Sequence, residues 1–224
     1  MRTAARCRLP RRLLVTDAGR RPDPLPAAAA LPAGSGIVFR HYGAPGRAAL
    51  AARLATLAKA RRLVLLVAGD WRLADRVGAA GVHLPEGMLF SGRLAPLLGW
   101  ARRKGRAVTA ACHGPAALAR ARRLGVCAAL LAPVFATASH PGAPAIGPVR
   151  FAAWTRRAGL PVIALGGVTP RTARRLNGSG AAGIAGVGAE RALLRFRLPN
   201  RSAGTAPCPN FAQIGLAAAA RVSL

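Results

Sequence analysis

Three observations predict an α/β chain that closes as a single (β/α)8 barrel. Eight short apolar runs alternate with segments that carry helix signals, which is the pattern of a parallel sheet covered by helices. The stretch Leu160–Glu190 reads as a complete β-α-β unit with a right-handed crossover. Of the 6 acidic residues, Asp17, Asp70, Glu86 and Glu190 fall at or just past the ends of predicted strands, which in a barrel is the catalytic rim. Exposed strand ends also accept charge cheaply, so this third observation has an ordinary explanation beside the functional one.

The elements follow in order. Arg11–Thr16 reads as the first strand, ending at Asp17, and a Pro-rich turn leads to a short Ala-rich helix around Leu25–Leu31. Gly36–Arg40 is the second strand and Pro45–Ala60 an Ala/Leu/Arg helix. Leu63–Val67 is the third strand, followed by Ala68-Gly69-Asp70 and a short helix over Trp71–Gly78. Gly81–Leu84 is the fourth, followed by Pro85-Glu86-Gly87 as a turn and a helix over Ser91–Lys104. Arg106–Ala110 is the fifth, running toward Cys112-His113-Gly114, with Pro115 opening the next helix, as proline does at a first helical position. Cys127–Leu131 is the sixth, and a long loop, Ala132–Ile146, precedes a helix at Pro148–Ala158.

The closing unit has the clearest punctuation. Pro161–Leu165 and Ala182–Val187 are too short for helices and are bounded by Gly or Pro, so both read as buried strands. Between them Thr169 can N-cap a helix, Pro170 suits its first position and Asn177-Gly178 can end it. Gly166-Gly167 sits where strand gives way to helix, and Val187-Gly188 ends the last strand in the same way. Glycines in such turns let a ligand approach the backbone, and N–H groups at a helix start receive anions. Two such turns after the last two strands describe a phosphate site, with tight βα turns as the plain alternative.

The organisation is a flexible N-terminus over 1–10, a barrel over 11–194 and a partly disordered tail over 195–224, which has no room for another β/α pair. The chain has 224 residues, 52% hydrophobic, which fits one sizeable core. It carries 34 basic residues against 6 acidic, for a formal charge of +28. Charge of that size invites a nucleic-acid reading. Against it, the arginines are spread over every predicted helix, and aromatics for base stacking make up only 4%. Specific nucleic-acid binding is therefore the remote alternative, and the Arg/Ala/Gly/Pro richness reads as compositional bias. Cys7, Cys112, Cys127 and Cys208 show neither zinc nor redox spacing. No stretch approaches membrane-spanning length and the N-terminal apolar run is too short for a signal peptide, so a cytoplasmic location is expected.

The combination of LLVTD (13–17), a strand ending in Arg40, GVHL (81–84), His113, PVFATASHPGAPAIG (133–147), VIALGGVTP (162–170) and AAGIAGVGAE (181–190) resembles the thiamine phosphate synthases and their thiazole tautomerase relatives. The resemblance covers roughly 11–191. It implies a TIM barrel and, in the synthase branch, the joining of hydroxymethylpyrimidine diphosphate to a thiazole phosphate with release of diphosphate held by magnesium.

By position, the resemblance implies that Arg40 grips the diphosphate, although the flanking family Gln and Lys are replaced by Val38 and Tyr42. Period-two alternation puts Val38, Arg40 and Tyr42 on one face. The family's Asn-Asp pair after the third strand falls on Ala68 and Gly69, and its later aspartate on Met88. Asp70 and Glu86 are the neighbouring carboxylates that a shifted frame would offer to Mg2+, or else they are capping residues. His113 matches a histidine that moves a proton in the tautomerase branch, work that a neutral-pH imidazole suits. Thr137, Ser139 and His140 stand for the phosphate-contacting Thr-x-Thr-Lys of the sixth-strand loop. With Gly166, Gly167, Val187 and Gly188 they make the expected phosphate-binding set, for small phosphorylated substrates. The departure at the magnesium positions keeps a metal-free tautomerase, or a thiazole-phosphate-binding relative, as the alternative to the transferase.

Overall fold

A computed structural model describes residues 9–137 and 144–187. Eight strands pair in sequence order, and β8 closes back on β1: β1 Arg12–Val15, β2 Gly36–Phe39, β3 Val64–Ala68, β4 Gly81–Leu84, β5 Ala107–Cys112, β6 Ala128–Leu131, β7 Val162–Ala164 and β8 Gly183–Val187. Every pairing is parallel. The helices are α1 Leu25–Ala29, α2 Arg47–Ala60, α3 Trp71–Arg76, α4 Glu86–Phe90, α5 Ala95–Lys104, α6 Pro115–Arg123, α7 Pro148–Arg157 and α8 Pro170–Ala173, the last continued by a 3-10 turn at Arg174–Leu176. The closed barrel is as expected. The expected N-terminal segment 1–10 lies outside the described residues except for its last two, and the tail 195–224 lies wholly outside them.

Period-two alternation sorts the strand residues into two apolar layers. Leu13, Val15, Val38, Leu66, Ala68, Ala107, Ala128, Leu130, Ile163 and Ala185 fill the barrel interior. Leu14, Ile37, Phe39, Leu65, Val67, Val82, Leu84, Leu131 and Val162 face outward and meet the helices. Gly81 has no alternative where it sits, because a Cβ there would come within 2.0 Å of the Ala107 carbonyl oxygen.

The fourth βα connection differs from the expected turn. Pro85-Glu86-Gly87 opens an extra five-residue helix, α4, whose Leu89 is buried, and α5 starts only at Ala95. Short helices of this kind lack a full amphipathic period, so sequence pattern does not separate them from turns. Among the described residues, no helix is long and apolar enough to cross a membrane.

Candidate active site

The inward-facing series of each strand delivers polar groups to the C-terminal rim. On β1 the series Leu13, Val15 continues to Asp17, and on β2 Val38 continues to Arg40. The two meet: Arg40 Nη2 donates to Asp17 Oδ2 at 2.5 Å. Burial works to raise the Asp17 pKa, but the hydrogen bond and charge of Arg40, with the N–H groups of Arg20 and Gly19, hold it below the usual carboxylate value. The backbone behind the pair is fixed by a buried relay. Arg40 N–H donates to Thr16 Oγ1 at 2.9 Å, and Thr16 Oγ1 lies 2.9 Å from His41 Nδ1. His41 Nε2 reaches the carbonyls of Arg21 and Pro22 at 3.2 and 3.1 Å. His41 is buried and stacked on Phe39, so it belongs to the outer layer and locks the β1–α1 loop. A cavity of about 150 Å³ adjoins Asp17 and is lined also by Thr16, Arg20, Arg21 and Val187.

Tyr42 follows a turn and stays near Arg40, whose charge acts on its hydroxyl together with that of Arg47. The chain turns after Arg40, with Tyr42 N–H bonded to the Arg40 carbonyl at 2.8 Å. The half-exposed Tyr42 ring lies over Gly69, 3.3 Å from where a Cβ would stand, and beside the guanidinium of Arg47.

The strand-6 loop and the Gly166-Gly167 turn are brought together. Val134 N–H bonds the Leu165 carbonyl at 2.9 Å and Phe135 N–H the Gly166 carbonyl at 3.1 Å. A Cβ on Gly167 would stand 2.4 Å from the Ala136 oxygen, so only glycine lets the loop approach this closely. Thr137 lies immediately beyond that contact. Thr169 caps α8 as expected, forming a reciprocal box with Thr172. The box consumes two N–H groups of the helix start. Val187 ends the neighbouring strand β8. Ser139, His140 and Gly188 lie outside the described residues.

The two carboxylates expected to hold magnesium are separately engaged. Gly69 adopts a left-handed conformation (φ 71°) and turns Asp70 out of the inward series. Asp70 Oδ1 then caps α3 through Leu73 N–H at 2.9 Å, and Oδ2 accepts from Arg47 at 3.2 Å. Arg47 in turn donates to the Ala68 carbonyl at 2.8 Å and packs on Phe39, a residue of the outer layer. Glu86 Oε2 accepts from both the backbone N–H and Nδ1 of His113, at 2.5 and 2.7 Å. Among the described residues, no group of three or more His, Cys, Asp or Glu side chains could hold a metal ion. A magnesium ion prefers hard oxygens free to complete an octahedron. Asp70 is engaged by the α3 cap and Arg47, and Glu86 by His113, so as arranged the pair does not offer the ion free oxygens from one cluster.

His83 is the site residue that sequence reading passed over. It lies on β4 inside the barrel, its register partner is Thr109 of β5, and His83 Nδ1 stands 2.9 Å from Thr109 Oγ1. Burial first, and the charge of Arg40 second, lower its pKa to about 4, so the ring is neutral at physiological pH. Arg40 continues the inward series of β2 toward the same lumen, and its charge acts on His83. The rim therefore carries the Arg40–Asp17 ion pair at β1/β2, a glycine turn at β6–β8, a neutral imidazole within the barrel and a carboxylate–imidazole pair at β4/β5.

The chain has relatives among known proteins. The family model for thiamine monophosphate synthase matches residues 13–189. A thiamine-phosphate synthase of Thiobacillus denitrificans is 33% identical over 140 residues, which span 62% of this chain and 64% of that protein. The thiamine phosphate pyrophosphorylase from Pyrococcus furiosus superposes with a TM-score of 0.67 at 22% identity, covering 82% of this chain and 92% of that one. FabK from Thermotoga maritima, at a TM-score of 0.60 and 15% identity over 80% of this chain and 58% of that one, shares the fold alone. By the extent of the family match, which takes in all eight strands but the first residue of β1, the chain belongs to the thiamine monophosphate synthase family.

Proposed function

We propose that the chain is a thiamine phosphate synthase-like transferase that joins hydroxymethylpyrimidine diphosphate to a thiazole phosphate and releases diphosphate. The observation that supports it best is Arg40, held at the inner rim by Asp17 and set above a neutral, buried His83. A planar guanidinium pairs two phosphate oxygens at once. In this reading the diphosphate displaces Asp17 from Arg40, and the Gly166-Gly167 turn with Thr137 receives the thiazole phosphate through N–H and hydroxyl donors. The pyrimidine methylene carbon loses the diphosphate, which leaves with the bonding electron pair, and the thiazole nitrogen lone pair forms the new C–N bond. Arg40 and the cationic rim neutralise the departing charge, and preorganised charge of this kind is usually the largest catalytic contribution. No step is routed through magnesium, because the carboxylates do not fit it. A cytoplasmic location goes with this reading.

The Glu86–His113 contact favours a second reading, in which the same barrel moves a proton on a thiazole carboxylate phosphate. Assaying the purified protein for both reactions, with and without Mg2+, separates the two. Synthase turnover that falls at least tenfold in Arg40→Ala supports the transferase. Proton exchange into the thiazole ring with no coupling to the pyrimidine would replace it.

A further inference from the structure

The Glu86–His113 contact carries an inference of its own, and its catalytic part rests on the second, proton-moving reading of the site. A carboxylate has no proton to donate, so a 2.7 Å contact between Glu86 Oε2 and His113 Nδ1 requires the proton on Nδ1. The neutral ring then keeps its lone pair on Nε2. The same Oε2 also receives the His113 backbone N–H, so one oxygen fixes both the residue and its ring. The support is rigid on each side. Glu86 is the first residue of α4, which is anchored by buried Leu89 and by Arg120 Nε donating to the Leu89 carbonyl at 2.9 Å. His113 follows β5 in the inward series Ala107, Thr109, Ala111, and the chain is stiffened directly after it by Pro115 at the start of α6. The His113 side chain stays 55% exposed at the rim, and among the described residues Nε2 has no hydrogen-bond partner.

We infer that Glu86 is a positioning residue: it holds His113 in the Nδ1–H tautomer, with Nε2 open at the rim as a proton acceptor for a phosphorylated five-membered heterocycle. Nε2 takes a proton from an acidic ring position, the electron pair stays on the substrate, and the resulting imidazolium is stabilised by the Glu86 carboxylate. The same proton can then be returned to a different atom of the ring. Carboxylate-oriented imidazoles work this way in unrelated enzymes. Glu86 is thereby committed to an imidazole and not to a metal.

The test begins with the free, full-length protein, so it does not depend on which reaction the chain performs. Nitrogen-15 NMR of labelled histidine, with the His113 signal identified by its loss in His113→Gln, reads the tautomer at a pH where the ring is neutral. The wild type should show Nδ1–H, and Glu86→Ala should revert mainly to Nε2–H. Glu86→Gln keeps the shape and an acceptor oxygen, so it should retain Nδ1–H while losing the charge. In the proton-moving reaction on the thiazole carboxylate phosphate, both variants should lower kcat at least tenfold with KM within about twofold. An Nε2–H wild type, an unchanged tautomer in Glu86→Ala or full kcat in Glu86→Gln would overturn the inference. Added Mn2+ should leave the His113 signal sharp. Broadening of that signal would give the carboxylate to a metal and overturn it as well.

Discussion

Lowering the pH from 7 to 4 should destabilise the barrel by about 3 kcal/mol through one side chain, His83. Unfolded, the ring titrates near 6.5, whereas in the barrel its pKa is lowered to about 4. The unfolded chain therefore binds a proton in this window that the folded chain refuses, and stability must fall with pH. The sign is that of a depressed pKa: the contribution is fully present above 6.5 and lost as the pH falls through about 4. At 1.36 kcal/mol per unit the full loss is about 3 kcal/mol, and roughly 2 kcal/mol is gone by pH 5. The assay is urea unfolding at several pH values on the wild type and on His83→Gln, which replaces the ring by a neutral polar group that can still bond Thr109. The difference between the two cancels the carboxylates and the general self-repulsion of a chain with charge +28. It should narrow by about 2 kcal/mol between pH 7 and 5. Parallel profiles for the two proteins would refute the assignment of a neutral His83 within the barrel.

Gly167→Ala should cost at least about 2 kcal/mol, because the residue sits at φ 62° and a Cβ would stand 2.4 Å from the Ala136 oxygen; Gly87→Ala, with nothing within 4 Å, should be neutral or mildly stabilising in thermal melts. The combined change Gly69→Asp and Met88→Asp, which places the family's aspartates, should lower Tm without creating magnesium affinity in calorimetry. Gly69 is left-handed with the Tyr42 ring 3.3 Å from its would-be Cβ, and Met88 is half-buried against the core, where a carboxylate is poorly solvated. Arg47→Met should reduce stability while leaving inorganic diphosphate binding within about twofold, because Arg47 serves Asp70 and Ala68 in the outer layer; Arg40→Ala should do the reverse.

Much of this was legible in the sequence because barrels repeat a simple local code. Each apolar run was short and punctuated, and parallel pairing in chain order followed from the alternation with helices. The Thr169 cap was readable from residue type, and so was the need for glycine at 166 and 167, although the backbone that approaches them is the strand-6 loop where a ligand was expected. What the pattern left open was the detail of the turns. A turn after Arg40 lays Tyr42 over Gly69 while keeping it in the field of Arg40, and the left-handed Gly69 leads into Asp70 as the cap of α3. Such turns depend on dihedral angles at single residues, which the hydrophobic pattern does not report.

His83 is the opposite case, a signal present and unused. In a strand buried on both faces, GVHL gives histidine an outward and an inward option, and only closure of the barrel puts its face among Thr109 and Arg40. The four histidines could have been sorted by alternation alone once closure was assumed: His83 and His113 share the inward series of adjacent strands, His41 falls on the outer face, and His140 lies beyond the described residues. The two inward rings then divide by depth. The deeper one meets low dielectric and a nearby guanidinium, which keep it uncharged. The one at the rim meets a carboxylate, which fixes its tautomer and can stabilise its cation. Depth along one barrel thus sets two environments for the same side chain, and of these two inward rings the exposed one at the rim is the one open to a proton partner.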